Sequence, residues 1–486
     1  MPIGSGENNF DVDVLRRELS SARDDSYKAE LGQFLTPQPI AKFMASLFSK
    51  DTVSPIRLLD PGCGHGALSY AFVNQFQESQ IEIEGWEIDS SLHSQFKTVL
   101  KASANKQVKL QLHGNDFIKE GAIRHITRTA PQFTHAILNP PYKKISASSE
   151  TRQFLMEVKI QSVNLYTAFL ALTILLTQKS GEIVSITPRS FFNGLYYRPF
   201  RSLLLNFCSI DRIHLFDSRK RAFSDDSVLQ ENVILKLTKG KKQGRVVVSR
   251  SLDQDLNDYS EKEYSFEEIV FPNDDQLYFH VPNSQNESTS RQTLPKFSLK
   301  DLDLDVCTGP VVDFRLKDHC SQVQSKTNVP LIYPFHFRGG AFNHPKENKK
   351  PNWIEVNDAS RKWLMESGCF VLTKRFTSKE EKKRVVAHVL QQEDIQHQFV
   401  GIENHLNVFH RRKKGIPENL ALGLATYLNS PEVDEYFRTF SGHTQVNATD
   451  LRRLPYPSLQ ELILLGEQQV KKIESESALN YKVASG

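Results

Sequence analysis

The stretch Ile56-Arg57-Leu58-Leu59-Asp60-Pro61-Gly62-Cys63-Gly64-His65-Gly66 joins a short apolar run to a glycine-rich turn. The apolar run predicts a buried strand, and the residues after the turn, 67–76, predict a helix. A strand, a tight turn and a helix in this order are typical of the start of a doubly wound, Rossmann-like α/β sheet. Such a sheet binds nucleotides at the ends of its strands.

The glycine spacing and the acidic residue of this turn narrow the choice of ligand. The glycines follow a G-x-G-x-G pattern, whereas a dinucleotide site requires G-x-G-x-x-G. Asp60 would repel a pyrophosphate, but its charge suits a cationic ligand such as the ammonium or sulfonium of S-adenosylmethionine. A glycine loop that only packs against its helix is the alternative.

Two further predicted strands lead into acidic residues. Residues 81–89 alternate apolar and polar, and an acidic residue at the end of such a strand commonly binds ribose hydroxyls. The candidates are Glu87 and, second, Asp89. After the next strand, Asp116 can accept a hydrogen bond from an adenine amino group, and Phe117 can cover the ring. Single acids at strand ends are otherwise solvated caps, so this prediction depends on the strand ends meeting at one edge of the sheet.

A fourth predicted strand, in His135-Ala136-Ile137-Leu138-Asn139-Pro140-Pro141-Tyr142, is stopped by two prolines. Proline lacks a backbone donor, so the Pro140 carbonyl has little local competition for a donor of a ligand. The side-chain oxygen of Asn139 is a second acceptor, and Tyr142 adds a flat ring. Two acceptors beside a ring suit the amino group of a planar base, because accepting both hydrogens favours a pyramidal nitrogen whose lone pair can attack. An ordinary strand-ending turn is the alternative.

Residues 36–48 predict a one-faced helix before the first strand. Thr36 is a natural N-cap, and Pro37 suits the first helical position. Apolar residues then recur at helical spacing, at Ile40, Phe43, Met44, Leu47 and Phe48.

Composition and charge limit the function classes. The 486 residues predict two or three domains, and 39% hydrophobic with 24% charged residues is typical of a soluble globular protein. A net charge of +4 is weak evidence for a nucleic-acid partner. The five cysteines form no C-x-x-C pair, so they indicate neither a zinc site nor a disulfide framework, and they fit a reducing cytoplasm. No apolar run approaches the roughly 20 residues that span a bilayer, so no membrane role is predicted.

The amino-acid composition of the chain changes after about residue 250. We predict a catalytic domain at 1–250, a linker or irregular connection at 251–298, and a C-terminal α+β domain at 299–486. Basic and aromatic residues interleave in the last part, which favours a DNA-facing surface over an ordinary solvated face. Its candidate DNA contacts are Arg411, Arg412, Lys413 and Lys414 for phosphates, and Gln445 and Asn447 for base edges.

Five motifs together resemble those of the TaqI-like, γ-class DNA adenine-N6 methyltransferases, over roughly residues 30–240. In order they are Gln33-Phe34-Leu35-Thr36-Pro37, Asp60-Pro61-Gly62-Cys63-Gly64-His65-Gly66, Glu87, Asp116-Phe117 and Asn139-Pro140-Pro141-Tyr142. The resemblance implies S-adenosylmethionine as cofactor, bound by Phe34, Thr36, Asp60, Gly62, Glu87, Asp116 and Phe117. It also implies a catalytic group of Asn139, Pro140, Tyr142 and Phe223, in which Phe223 stacks on a flipped-out base opposite Tyr142. The implied mechanism needs no metal.

The activity that this resemblance implies is methylation of N6 of an adenine flipped out of duplex DNA. Residues 370–386 and 441–458 also resemble the recognition domains of PstI/BsuBI-like modification methylases, which implies CTGCAG as the target and a separate restriction endonuclease as a partner. Two alternatives stay open: an N-P-P-Y methyltransferase acting on RNA or on a protein glutamine, and a DNA-binding protein without enzymatic activity. The large basic C-terminal half favours DNA methylation over the first, and binding of S-adenosylmethionine would count against the second.

Overall fold

The computed structural model describes residues 11–21, 32, 35–51, 55–129, 132–216, 231–282, 295–338, 341–377, 381–441 and 444–484. The chain divides into two compact units, Met1–Val281 and Pro282–Gly486. Two predicted site residues, Phe34 and Phe223, lie outside the described residues.

The first unit is built on a nine-stranded sheet. Its strands are β1 (Ile56–Pro61), β2 (Ile81–Trp86), β3 (Val108–His113), β4 (Phe133–Leu138), β5 (Thr177–Pro188), β6 (Cys208–Phe216), β7 (Asn232–Lys239), β8 (Val246–Ser251) and β9 (Ser260–Tyr264). They follow the order β3-β2-β1-β4-β5-β7-β6-β8-β9. Neighbouring strands from β3 to β5 are parallel, whereas β7 is antiparallel to both β5 and β6. The predicted doubly wound α/β class is therefore confirmed for this unit.

Helices cover both faces of this sheet. They are α1 (Val12–Ser21), α2 (Gln38–Ser46), α3 (Ala67–Gln75), α4 (His93–Lys101), α5 (Phe117–Thr127), α6 (Glu150–Glu157), α7 (Leu165–Leu176), α8 (Arg198–Phe207) and α9 (Phe266–Ile269). One core contains residues of α2, α3 and α4, and the other contains residues of α5, α7 and α8. Alternate residues of β4 enter opposite cores, with Ile137 in the first and Leu138 in the second. This alternation is what a strand buried on both faces requires.

The start of α2 differs from the prediction by one residue. The helix begins at Gln38, and Pro37 occupies the N-cap position without a side-chain cap. The prediction that Thr36 caps this helix is wrong, because its hydroxyl lies 3.0 Å from the side-chain nitrogen of Asn139 instead. A tertiary contact thus replaces the local one that the sequence pattern favoured.

Residues 251–281, which the sequence predicts as linker, form part of the first unit. Strand β9 pairs antiparallel with β8 and extends the sheet by one strand. Further along, Phe279 and Val281 are buried in the core beside α8. The first unit therefore continues about 30 residues past the predicted boundary, because these apolar side chains complete its core.

The second unit mixes small sheets with helices, as predicted for an α+β domain. A four-stranded antiparallel sheet has the order β10-β20-β17-β18, a five-stranded sheet the order β11-β15-β12-β19-β16, and β13 pairs with β14. The strands are β10 (Asp305–Thr308), β11 (Cys320–Ser321), β12 (Asn328–Ile332), β13 (Phe337–Arg338), β14 (Ala341–Phe342), β15 (Trp353–Glu355), β16 (Met365–Glu366), β17 (Phe370–Lys374), β18 (Ala387–Leu390), β19 (Phe399–Ile402) and β20 (Leu406–His410). Four helices follow, α10 (Glu418–Leu428), α11 (Pro431–Phe440), α12 (Ala448–Arg452) and α13 (Leu459–Ala484).

The described ranges contain neither a membrane-spanning helix nor a metal-binding cluster. Within them, no helix is both long and apolar enough to cross a bilayer. In the same ranges, no group of three or more His, Cys, Asp or Glu side chains is arranged to hold a metal ion.

Candidate active site

A cavity opens at the carboxyl ends of the parallel strands of the first unit. Its wall is formed by Leu35, Thr36, Gly62, Cys63, Gly64, His65, Ala67, Leu68, Trp86, Glu87, Ile88, Asn115, Asp116, Phe117, Ile118, Asn139, Pro141, Lys143, Leu165 and Phe169. These residues follow β1, β2, β3 and β4 or come from helices beside them. The sequence predicts that these strand ends meet at one edge of the sheet, and in the structure they surround one cavity. Ligands bind at this edge in sheets of this kind.

The glycine turn after β1 shapes one side of this cavity. Gly62 and Gly64 have φ angles of 75° and 56°, a left-handed conformation that glycine adopts without steric cost. The amide of Gly64 donates to Oε2 of Glu87 at 2.9 Å. The turn is thus held in place by a side chain from the neighbouring strand.

Glu87 directly follows β2 and is buried in the cavity wall. Its second carboxylate oxygen accepts from the Asp89 amide at 2.9 Å. Burial raises the pKa of this carboxyl above its ordinary value, although the two backbone hydrogen bonds oppose the shift. Each carboxylate oxygen has a further lone pair, so a ligand hydroxyl can still be accepted.

Asp60, at the end of β1, is fully buried below the glycine turn and does not line the cavity. Its Oδ2 accepts from the Ser69 hydroxyl at 2.6 Å, whereas Oδ1 has no hydrogen-bond partner. Burial raises the pKa of Asp60 to about 7, and the nearby charge of Glu87 adds to the shift. A positive charge in the cavity would stabilise both carboxylates.

Asp116 and Phe117 occupy the end of β3 as predicted from their positions. Asp116 is the N-cap of α5, and its Oδ1 accepts from the Ile118 amide at 2.7 Å. Phe117 is buried, with its ring 5.0 Å from that of Phe169 and 5.5 Å from that of Trp86. A carboxylate next to an aromatic group is suited to a planar base with an amino group.

The side chain of Asn139 is held on both sides. Its Nδ2 donates to Thr36 Oγ1, and its Oδ1 accepts from the Tyr142 hydroxyl, each at 3.0 Å. Both ends of the amide are therefore held by hydroxyl groups, Nδ2 as a donor to Thr36 and Oδ1 as an acceptor from Tyr142. Burial raises the pKa of Tyr142, so its hydroxyl keeps the proton that it donates.

The structure brings six of the predicted site residues into the cavity wall. They are Thr36, Gly62, Glu87, Asp116, Phe117 and Asn139. Asp60 lies below the wall, and Tyr142 reaches it through its hydrogen bond to Asn139. Pro140 belongs to the same turn but is not part of the wall.

Several wall residues were not found from the sequence. Phe169 lies on α7, which is buried almost all round and therefore shows no polar face that could have indicated a site. Ile88 is largely exposed at the cavity mouth, between the two acidic candidates Glu87 and Asp89. The only feature of the sequence that could have indicated Ile88 is its position directly after Glu87.

The predicted DNA contacts all fall in the second unit. Arg411–Lys414 forms a tight turn after β20, in which Arg411 and Arg412 pair with Asp303 at 3.3 and 3.7 Å and Lys414 pairs with Glu366 at 3.4 Å. Asn447 is the N-cap of α12, and its Nδ2 donates to Asp450 at 3.2 Å. Gln445 is half-buried in the segment before that helix.

Comparison with known proteins identifies the family. The type II methyltransferase M.BsuBI of Bacillus subtilis is 46% identical over 460 residues, which are 92% of this chain and 92% of that enzyme. The chain belongs to the type II DNA methyltransferases of restriction–modification systems. The type II methyltransferase M.PstI of Providencia stuartii is 38% identical to this methyltransferase over 470 residues, covering 93% of this chain and 92% of the other.

Two further comparisons agree with this assignment. The Eco57I restriction-modification methylase family matches residues 8–223 of the methyltransferase. Among solved structures, the type IIL restriction-modification enzyme MmeI in complex with DNA has a TM-score of 0.54 at 12% identity, covering 90% of this chain and 69% of that chain. At this identity the likeness shows the shared fold. Membership of this family excludes both alternatives, a methyltransferase for RNA or protein and a DNA-binding protein without enzymatic activity.

The methyl donor of the methyltransferase is S-adenosylmethionine. The cavity fits it, because the buried, partnerless Oδ1 of Asp60 and the carboxylate of Glu87 favour a cation. Asp116 and Phe117 offer an acceptor and an aromatic wall for its adenine. The same carboxylates would repel a pyrophosphate.

Proposed function

We propose that the methyltransferase methylates the exocyclic N6 of an adenine that is flipped out of duplex DNA. The observation that carries this proposal is the Asn139 amide, fixed at the end of β4 beside the cavity with its oxygen toward Tyr142. That oxygen has a second lone pair. Together with the Pro140 carbonyl it offers two acceptors for the two hydrogens of an adenine amino group.

The two acceptors address the main difficulty of the reaction. The lone pair of an adenine amino nitrogen is delocalised into the ring, which makes this nitrogen a poor nucleophile. Accepting both of its hydrogens favours a pyramidal nitrogen and frees the lone pair. Bound S-adenosylmethionine supplies an electrophilic methyl group. Asn139 and Pro140 therefore act by orienting the amine and stabilising the positive charge that develops on it.

The cofactor and the base would be held by different parts of the strand-end edge. In this proposal Gly62 and Thr36 face the methionine part, and Asp60 acts on its positive charge from behind the cavity wall. Glu87 faces the ribose, and Asp116 with Phe117 faces the adenine of the cofactor. Phe34 is assigned to the cofactor site by the motif Gln33-Phe34-Leu35-Thr36-Pro37. Tyr142 and Phe223 would stack on the flipped base from its two sides. Base–aromatic stacking is worth about 1–3 kcal/mol per base, which offsets part of the cost of extrusion.

The second unit would recognise the target sequence. Arg411, Arg412, Lys413 and Lys414 are proposed to contact phosphates, and Gln445 to contact base edges. The side chain of Asn447, the other predicted base contact, is instead engaged at the start of α12. The resemblance to PstI/BsuBI-like methylases supports CTGCAG as the target and a separate restriction endonuclease as the partner. Chromosomal DNA as substrate would place the methyltransferase in the cytoplasm.

Analysis of methylated DNA tests the reaction. DNA incubated with the purified protein and S-adenosylmethionine is digested to nucleosides, and we expect N6-methyladenine as the product. The variant Asn139→Ala should retain cofactor binding by calorimetry while losing most product, since one acceptor is removed. A product of 5-methylcytosine, or near-normal turnover of the variant, would contradict the proposal.

Protection from cleavage tests the proposed target. Plasmid isolated from cells that express the protein should resist an endonuclease that cuts at CTGCAG. Plasmid from cells expressing Asn139→Ala should be cut. Full cleavage of the wild-type plasmid, with N6-methyladenine present in it, would mean that another sequence is the target.

A further inference from the structure

Three segments of the second unit are joined into one outward-facing patch. The Val446 amide donates to the Arg375 carbonyl at 2.7 Å, and the Thr377 amide donates to the Thr444 carbonyl at 3.0 Å. On the other side, the Arg375 amide donates to the His405 carbonyl at 2.9 Å. No local pattern indicates that these segments meet, because they are separated by about 30 and 40 residues in the chain.

The inward side chains of these segments anchor the patch. Thr377, Asn407 and Val446 are buried, and Asn407 Nδ2 donates to the Val446 carbonyl at 2.8 Å. The backbone below the patch is therefore fixed by hydrogen bonds before any ligand arrives. Such a backbone has little freedom left to lose on binding, which favours specific recognition.

His405 is oriented by a buried carboxylate. Its side chain is 51% exposed, and its Nδ1 lies 2.6 Å from Oε1 of Glu403, whose side chain is fully buried. The other carboxylate oxygen accepts from the His405 amide at 2.8 Å. Since a carboxylate can only accept, Nδ1 carries the hydrogen of this contact, and Nε2 is the ring nitrogen that does not contact Glu403. Burying a carboxylate is costly, and here it fixes the direction of one exposed imidazole.

Phe376 and Gln445 lie beside this imidazole. Phe376 is 44% exposed, and its ring centroid is 5.0 Å from that of His405. Phe376 and Gln445 face each other across an antiparallel bridge. Among the described residues, the side-chain amide of Gln445 has no hydrogen-bond partner.

We propose that Phe376, His405 and Gln445 form the surface that reads the edges of DNA bases. This inference rests on the proposed function, in which duplex DNA is the substrate. A carboxamide pairs with two adjacent groups of an adenine edge, and an imidazole nitrogen reaches single donors or acceptors in the same groove. The exposed Phe376 ring supplies an apolar contact, of the kind made with a thymine methyl group.

The charge around the patch favours nucleic acid over a protein partner. Arg375 lies directly behind it, with its guanidinium 5.7 Å from the Phe376 ring, and Lys374 precedes it in the chain. Glu403, the acid that contacts His405, is buried and paired with it. Asn447, by contrast, caps α12 with its side chain and is not part of this patch.

Sequencing of methylated positions tests the assignment. The full-length protein is expressed in a host without its own adenine methylation, and the methylated motif is read from the host genome. We expect one fixed motif for the wild type. His405→Ala and Gln445→Ala should each relax it at particular base pairs, with a roughly ten-fold or greater loss of discrimination there. Gln445→Glu, which keeps the size of the side chain but cannot donate, should change the preference at the same base pair.

Controls come from exposed residues of the same unit. Phe314→Leu and Gln324→Ala alter an exposed ring and an exposed amide elsewhere, and both should leave the motif unchanged. An unchanged motif in the patch variants, with normal methylation, would overturn the inference. The same result accompanied by lost self-association would assign the patch to a protein contact. Absence of N6-methyladenine from wild-type cells would instead contradict the proposed function.

Discussion

The Thr36 hydroxyl oxygen accepts a hydrogen bond from Asn139 Nδ2 over 3.0 Å, and this contact joins residues 103 positions apart in the chain. Thr36 precedes α2, and Asn139 follows β4. The residue that sequence motifs assign to the cofactor therefore also sets the direction of the amide that is proposed to hold the target amine. The hydroxyl still has its own hydrogen to donate.

Thr36→Val tests this coupling, because it removes the acceptor and keeps the shape. A hydrogen bond of this kind contributes about 0.5–1.5 kcal/mol, so we expect the single-turnover rate at saturating cofactor to fall about two- to ten-fold. Thr36→Ser should restore the rate. In an Asn139→Ala background the Thr36→Val change should have little further effect on the rate. A variant that only weakens cofactor binding would show that the contact does not position the amide.

Asp60→Asn should change how stability depends on pH. The folded protein holds this carboxyl at a pKa of about 7, raised from 3.8 by burial. A raised pKa gives a stabilising contribution that is complete below about pH 4 and is lost as the pH rises through 7. Without cofactor, the wild type should therefore lose more stability than Asp60→Asn between pH 5 and pH 8 in thermal unfolding. Parallel curves for the two proteins would mean that Asp60 titrates at its ordinary pKa.

Gly66→Ala should destabilise the first unit. Gly66 has a φ angle of 93°, and a Cβ added there would lie 2.8 Å from the Phe96 ring. Strain of this type costs about 1–3 kcal/mol, measured as the free energy of unfolding in urea. The matched control is Gly244→Ala, where an added Cβ meets no atom within 4 Å. A loss as large in the control as at Gly66 would rule out this steric explanation.

Lys413→Ala should weaken DNA binding more than Arg411→Ala. Arg411 is already paired with Asp303, whereas Lys413 has no acidic partner among the described residues. A phosphate contact releases counterions, so loss of Lys413 should reduce the slope of log K against log salt by about 0.9, equally for cognate and scrambled duplexes. Binding titrations over a salt series measure this. A larger effect of Arg411→Ala would mean that its ion pair opens on DNA.

Most of the sheet could be predicted from local pattern, because the first four strands are short apolar runs or apolar–polar alternations that lead into a polar residue. The site could be predicted in the same way, since Glu87, Asp116 and Asn139 all follow such runs. Strand β9 could not: its sequence Ser-Glu-Lys-Glu-Tyr is polar, as suits an edge strand exposed to solvent, and it carries no alternation. The hydrogen bond from Asn139 to Thr36 could not be predicted either, because a threonine just before a helix is also the usual pattern of an N-cap.

The hydrogen bond from the Gly64 amide to Glu87 has a consequence for measurements of cofactor affinity. A change at Glu87 would remove the proposed ribose partner and release the glycine turn at the same time. The effects of substitutions at the two positions should therefore be non-additive, and their coupling free energy would belong to the pair. The cofactor affinity should therefore depend jointly on the adjacent ends of β1 and β2. The effects of single substitutions at Gly64 and Glu87 should not add up to the effect of the double substitution.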